Sequence, residues 1–466
     1  NVMKKTLSIV LAVAAALIIA GCQKDLQPGP QPEPQKEEFT IERLRDVGQP
    51  IPDPLIDLAN CIPEGSQKTL ESVRYVPGKA IYYMDYTAKV DWKSLLTQPE
   101  DQHFKVFCMK DVSDKVTKAL FHNYKLNDPI DGPYGSCSGF ICNNLAGDLL
   151  NCRNFDGDFG EMVVIFNHNV DASKGEHKSV MMADLSWAQM YAGDSTYKGD
   201  SVFLKKNPKK EMNVLLRQPI STVDGMNDAG LAIAAYQLPD FQTQDSTILD
   251  PAPFKSPTPR PYGSDQSNNK PQIGFISVFY LALTTCTTVE EVVNMLKQHD
   301  YVALMRNLNM HWCVSDASGK WRTLEYWKDE RLATTENLKG KADILYVYNE
   351  EARSKSAFLG NHNIKYEYKS MENYYYHPTP SATFYTDYWQ REFGGVFRAH
   401  NMMHHYSLVM DEKKALSVLQ EGSYGIEVPG HVTNWSCVYN CKQKTVLFTV
   451  RNQTDRAFTI DLKTDL

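Results

Sequence analysis

The sequence predicts a mixed fold, α/β or α+β, in which strands and helices are interspersed, and three stretches carry that expectation. GLAIAAYQL (230–238) is an almost unbroken apolar run of strand length, as a buried strand requires. HWCVSDASGKWRTLEYW (311–327) sets the turn formers Asp316-Ala317-Ser318-Gly319 between two β-rich runs, a hairpin signal. Thr288-Val289-Glu290-Glu291 is a capping-box pattern, and the helix after it carries Val289, Val292, Val293 and Leu296 on one face. The 466 residues suffice for one large domain or two ordinary ones, and 42% apolar with 23% charged residues is the composition of a folded core. A net charge of −7 speaks against nucleic acid as the main partner, because phosphate binding needs a basic surface.

At the N-terminus, Lys4 and Lys5 precede an apolar run, Leu7–Ala20, that is short for a membrane span and fits a secretory signal. LIIAGC (17–22) resembles a bacterial lipobox. The resemblance implies that 1–22 is a lipoprotein signal peptide and that Cys22 is lipidated; the alternative is a plain signal peptide with an incidental cysteine. The expected location is the bacterial cell envelope, lipid-anchored in the outer membrane, with the acyl chains as the membrane contact. Residues 23–38 are a tether, in which Pro28, Pro30, Pro32 and Pro34 favour an extended spacer. Of ten cysteines, an odd number remains once Cys22 is set aside, so at least one is free or functional; Cys61 and Cys108 could pair.

Residues 39–136 mix helical and extended patterns: VSDKVTKALFHNY (112–124) has helical spacing, and NDPIDGPYGS (127–136) is an exposed linker. Two short strands follow, CSGFIC (137–142) and LLNCRNF (149–155), around the turn NNLAGD. If Cys142 pairs with Leu149, Cys137 falls opposite Asn154, and Arg153 and Asp156 lie close to the thiol. A guanidinium there should lower the thiol from its free value of ~8.5. A base is missing, since the nearest histidines in sequence are His122 and His168. A cut between Ser136 and Cys137 would supply one, the new α-amino group, whose pKa is ~8. The linker is where such a cut is tolerated. The plainer readings are a buried structural thiol and a surface ion pair between Arg153 and Asp156.

Further on, DPAPFKSPTPRPYGSDQSNNKPQ (250–272) is a Pro-rich loop with no strand or helix pattern, a surface insertion or a lid. HVTNWSCVYNCKQKTVLFTVRN (431–452) is a second hairpin signal. His400 and His404 are spaced i, i+4, with His405 adjacent, but without a third ligand or a glutamate no metal site is expected. No cofactor is expected either.

Cys137, Arg153 and Asp156 within CSGFICNNLAGDLLNCRNFD resemble the start of the mature N-terminal-nucleophile cysteine hydrolases: choloylglycine hydrolase, penicillin V acylase, acid ceramidase and N-acylethanolamine amidase. GMNDAGLAIAAYQLP (225–239), TTVEEVVNMLKQHD (287–300), MHWCVSDASGKWRTLEY (310–326) and GGVFRAHNMMHH (394–405) resemble later stretches of that family in the same order. The resemblance implies an α+β fold, a four-layer αββα sandwich. It implies Cys137 as nucleophile with its own amine as base, and Arg153 and Asp156 positioning thiol and amine. Asn349, in LYVYNEE, matches the oxyanion asparagine, with Tyr348 in place of the usual threonine and Asn361 or Asn363 as rivals. Gln237 matches a position that bears asparagine in bile-salt hydrolases and tyrosine in penicillin acylases, and Arg398 matches a late arginine. Tyr236, Leu238 and Phe241 suggest an apolar acyl pocket.

Bile-salt hydrolases begin at the cysteine after little more than a methionine, whereas here residues 23–136 intervene. That order is closer to acid ceramidase, which self-cleaves. By analogy the segment 39–136, with its tether, is a small chain that stays associated with the catalytic domain 137–466. The implied activity is an amidohydrolase acting on a small-molecule N-acyl amide: an N-acyl lipid, a bile-acid conjugate or an acyl amino acid. The alternatives are a dipeptidase or acyltransferase on the same scaffold, and a non-catalytic surface-binding lipoprotein.

Overall fold

The structure, a computed structural model, describes residues 39–51, 64–89, 137–157, 161–185, 215–216, 218–238, 260–261, 272–303, 309–327, 344–348, 370–372, 409–421, 432–451 and 455–466. They form a mixed α+β fold with extensive sheets. Among them, one sheet has seven strands, in spatial order Thr40–Arg43, Arg456–Asp461, Thr445–Val450, Val432–Asn440, Leu149–Gly157, Ser138–Asn143 and Ser370–Glu372. A second sheet has ten, in the order Ile344–Tyr348, Trp321–Trp327, Asn309–Ser315, Ala232–Leu238, Thr222–Asn227, Ser179–Asp184, Met162–Asn167, Ile81–Tyr86, Arg74–Tyr75 and Gln49–Pro50.

Alternation along Leu149–Gly157 shows how the layers stack. Every residue of this strand is buried. Asn151 and Arg153 reach the ten-stranded sheet, where Asn151 Nδ2 donates to Ser315 Oγ at 2.9 Å. Leu150, Cys152 and Asn154 point the other way, onto helix Glu412–Glu421: Asn154 Nδ2 donates to the Leu419 carbonyl at 2.9 Å, and Leu150 and Cys152 pack with Leu416 and Leu419. On the far side, Asn227 Nδ2 ties the ten-stranded sheet to helix Phe275–Thr285 through the carbonyls of Leu283 at 3.0 Å and Cys286 at 2.7 Å. The order is helix, sheet, sheet, helix, the four-layer αββα arrangement.

The segment before Cys137 is woven into both sheets. Thr40–Arg43 pairs in parallel with Arg456–Asp461, and Ile81–Tyr86 pairs in parallel with Met162–Asn167. Salt bridges from Glu42 to Arg456 and from Arg43 to Asp465 reinforce the first join. Tyr86 Oη, donating to the Leu216 carbonyl at 2.9 Å, reinforces the second.

Most local signals hold. Thr288 and Glu291 form both halves of a capping box, and Val289, Val292, Val293 and Leu296 are buried. Asn309–Ser315 and Trp321–Trp327 form a hairpin through a turn whose Gly319 has φ 84°, and Val432–Asn440 pairs antiparallel with Thr445–Val450. Two expectations are corrected. The first hairpin is shifted by one: Cys142 pairs with Leu150 and Ser138 with Asn154, because Asn143 also joins the ladder, opposite Leu149. The Pro-rich loop holds a two-residue strand, Arg260–Pro261, at the edge of a three-stranded sheet, a place where a proline costs no ladder bond. The 112–124 helix, the 127–136 linker and the 394–405 helix lie outside the described residues. Seven cysteines are described, all buried: Cys137, Cys142, Cys152, Cys286, Cys313, Cys437 and Cys441. Cys22, Cys61 and Cys108 lie outside.

Candidate active site

Cys137 stands immediately before strand Ser138–Asn143, buried between the sheets. The partner strand brings Arg153 opposite Gly139, two residues along, and the inward face of the pleat turns both toward the second sheet. Arg153 Nη2 donates to Cys137 Sγ at 3.4 Å and to the Ala235 carbonyl at 2.7 Å. Its Nη1 makes a buried ion pair with Asp224, on strand Thr222–Asn227 of the opposite sheet. Asp224 Oδ2 also accepts from Trp435 Nε1 at 3.1 Å, and Oδ1 accepts from Tyr439 Oη at 2.6 Å. The guanidinium lies 5.0 Å from the Phe155 ring centroid and 5.5 Å from that of Tyr236, and Phe155 stacks on Trp435 at 4.2 Å. A buried arginine is tolerable only with its charge matched: Asp224 does this, and Asp224, Ala235 and Cys137 take up the Nη donors, while Nε has no hydrogen-bond partner among the described residues.

Asp156 is fully buried at the end of the same strand. Its Oδ1 accepts from Thr433 Oγ1, and its backbone makes a hydrogen bond with Cys137. The plain surface ion pair between Arg153 and Asp156 is therefore overturned: both are buried, and the ion-pair partner of Arg153 is Asp224.

The acidity expected of Cys137 is also corrected. Burial pushes the thiol up from its ordinary value; Arg153 lowers it, while the carboxylates Asp156 and Asp224 raise it. The guanidinium is present, but Asp224 already matches its charge. For Arg153, burial works against the charge, yet Asp224 and Cys137 outweigh it and its pKa rises, so it stays protonated.

Tyr236 is buried on the inner face of Ala232–Leu238, edge-on to His311 with centroids 5.6 Å apart. Its hydroxyl has no hydrogen-bond partner among the described residues, and burial holds it well above the usual phenol value. Gly139 faces it: a Cβ there would collide with Tyr236 Oη and with the Cys152 carbonyl. Tyr236 thus stands over the arginine rather than in a purely apolar wall.

Gln237 lies in the same strand, paired with Met310. Asn349, Asn361, Asn363, Arg398, Ser136 and Phe241 lie outside the described residues. The strand before Asn349 runs from Ile344, paired with Trp327, to Tyr348, paired with Thr323. His168 is engaged elsewhere, with its Nε2 3.0 Å from Asp85 Oδ1, and His122 lies outside. Among the described residues no group of three His, Cys, Asp or Glu side chains could hold a metal ion.

Sequence reasoning missed Asp224, Trp435 and Tyr439. The available signals were an acid inside the otherwise uncharged STVDGMN, and Trp435 with Tyr439 on one face of a strand.

No protein-family model matches the chain, and no curated protein matches it. Among solved structures it is similar to the penicillin V acylase from Agrobacterium tumefaciens, at 18% identity over 71% of this chain and 87% of that one, with a TM-score of 0.41. It is also similar to two variants of the conjugated bile acid hydrolase from Clostridium perfringens. These have 13% and 15% identity and TM-scores of 0.40 and 0.39, with 71% of this chain covered in both cases and 93% and 94% of those chains. At such identities and TM-scores neither activity transfers to this chain.

Proposed function

We propose that the chain is an amide hydrolase that cleaves a linear, non-peptide C–N bond of an N-acyl conjugate through a thioester on Cys137. The observation that carries the reading is the contact of Arg153 Nη2 with Cys137 Sγ at 3.4 Å, made at the residue immediately before a buried strand. In this reading the peptide bond between Ser136 and Cys137 is cut by the protein itself, and the new α-amino group, with a pKa of ~8, takes the thiol proton. Sulfur then attacks the acyl carbon, the C–N bond breaks, and the amine leaves with the proton. Water, deprotonated by the same amine, hydrolyses the thioester and releases the acid. A thiol that burial keeps neutral suits this order, because the base resides on the nucleophile's own residue. Asp156, bonded through its backbone to Cys137, is assigned to hold the new ammonium, and an amide from Asn349 or Gln237 to support the oxyanion. Arg398 is assigned to the substrate. The strands that 39–89 gives to both sheets support a small chain that remains bound after the cut. We further propose that Cys22 is lipidated and tethers the enzyme to the cell envelope.

The test is the intact mass and N-terminal sequence of the purified protein beside Cys137→Ala. Two co-purifying fragments, one beginning Cys-Ser-Gly-Phe, are expected from the wild type and one uncut chain from the variant. The cut protein should then release amine from N-acyl lipids, bile-acid conjugates or acyl amino acids, and the variant should release none. A wild type that stays whole under mild acid removes the amine base and with it this mechanism. Transfer of the acyl group to an added amine in preference to water would make the enzyme an acyltransferase.

A further inference from the structure

Arg153 stands between two acids. Nη1 meets Asp224 and Nη2 meets Cys137 Sγ, and all three residues are almost wholly buried. One guanidinium therefore faces two groups that could each become its counter-ion. The competition is unequal, because Asp224 is anchored by Trp435 Nε1 and Tyr439 Oη from the neighbouring sheet.

We propose that Asp224 is a positioning residue that acts on Cys137 through Arg153: it holds the guanidinium against the sulfur while claiming its charge, so the nucleophile rests as a neutral thiol until a proton acceptor is supplied beside it. The proposal rests on the hydrolase reading for the identity of the nucleophile and adds what sets its resting state.

The surroundings of the sulfur agree. From its own hairpin it meets Arg153 and Asp156, and from the opposite sheet Asp224 and Tyr236, with His311 behind the tyrosine. From strand Val432–Asn440 come Tyr439 and the thiol of Cys437, which lies directly opposite Arg153. Burial pushes up both thiols and both tyrosines, and it pushes up Asp224 too, against the lowering effect of Arg153, Tyr439 and Trp435; the charged groups facing the sulfur are then one guanidinium and the carboxylates of Asp224 and Asp156. A thiolate would add a third anion to a single cation in a medium that screens little. With Asp224 made neutral, Cys137 becomes the available partner for Arg153. An asparagine fits the same space: its oxygen still accepts from Arg153 and Trp435, and its NH2 can donate to the Tyr439 hydroxyl.

The test is the rate of alkylation of Cys137 by iodoacetamide as a function of pH, read from the mass of the Cys137 peptide in the full-length protein. Asp224→Asn is expected to move the midpoint down by about one pH unit, which is roughly tenfold faster alkylation below the wild-type midpoint. Arg153→Gln should move it up. A midpoint unchanged or raised in Asp224→Asn overturns the proposal, since Asp224 would then only support Arg153. Should Asp224→Asn fail to fold, as judged by near-ultraviolet circular dichroism, Tyr439→Phe decides. With one donor stripped, the carboxylate relies more on Arg153, and the midpoint should rise by a few tenths of a unit; no rise overturns the proposal. Alkylation needs no substrate, so a protein that hydrolyses no amide would sink the hydrolase reading while the shift is still measured. An unshifted midpoint in an active hydrolase would sink this inference alone.

Discussion

At Gly139 the missing side chain is what lets Tyr236 and Arg153 share the space beside the thiol. A Cβ there meets the Tyr236 hydroxyl and the Cys152 carbonyl, and one of these is backbone that cannot swing aside. Gly139→Ala is therefore expected to destabilise the protein by about 1–3 kcal/mol, the usual cost of overpacking a dense core, as measured by urea unfolding. Removing the hydroxyl in Gly139→Ala with Tyr236→Phe should restore part of that loss, because the contact with Cys152 remains. Equal stability of wild type and Gly139→Ala would mean that the two strands can separate at no cost, contrary to the burial of both. Gly147 is a useful contrast. It sits in the hairpin turn at φ 81° with nothing near its Cβ direction, so its requirement is conformational and not steric.

Helix Val289–Lys297 shows the same economy at the level of an element. Thr288 Oγ1 accepts from the Glu291 amide at 3.3 Å, and Glu291 Oε2 accepts from the Thr288 amide at 3.1 Å, so two otherwise orphaned donors are satisfied reciprocally. Asp316, in the turn of the neighbouring hairpin, accepts from the Val289 amide at 3.0 Å and fixes the helix to the sheet it covers. Thr288→Ala should cost about 1 kcal/mol in urea unfolding, and Glu291→Gln less, because glutamine keeps the acceptor. A Thr288→Ala variant as stable as wild type would assign the start of the helix to Asp316 and apolar burial alone. Strand Leu149–Gly157 makes the complementary point. Its two faces serve different layers, so a slip of one residue would send Arg153 to the helix side and Leu150 and Cys152 into the site.

Over the whole molecule the buried thiols make stability depend on alkaline pH. Burial raises Cys286 to about 11 and Cys441 to about 12, and Cys137 moves in the same direction. An unfolded thiol ionises near ~8.5. Above that value the unfolded chain has lost protons that the folded chain keeps, so stability is full below it and is lost as pH rises toward the folded values. The unfolding free energy from urea titrations should fall between neutral pH and about pH 10, by on the order of 1–2 kcal/mol for each of Cys286 and Cys441, and the urea midpoint should fall with it. Replacing Cys286 with alanine should flatten its share of that slope. A midpoint constant across the range would show that these thiols ionise alike in both states.

The sequence by itself determined the elements and their partners in the chain. Helical spacing with a capping box, turn formers between β-rich runs, and a long apolar strand are local signals, and hairpins at 138–157, 309–327 and 432–450 and helix 289–297 follow from them. It also brought Cys137 and Arg153 together, because the two ends of one hairpin must meet whatever the rest of the chain does. The one-residue register error left Arg153 at the sulfur because a shift of one position at a hairpin end stays within reach of a long side chain. Tertiary structure decided the rest. Asp224 is distant in sequence from Arg153, and no local pattern links them; only the facing of two sheets turns an acid in STVDGMN into the partner of the arginine. Trp435 and Tyr439 join it for the same reason. The acidity of Cys137 was decided there too. A neighbouring guanidinium can be read from spacing, but the depth of burial and the carboxylate that matches its charge are properties of packed layers, and together they push the thiol up from its ordinary value.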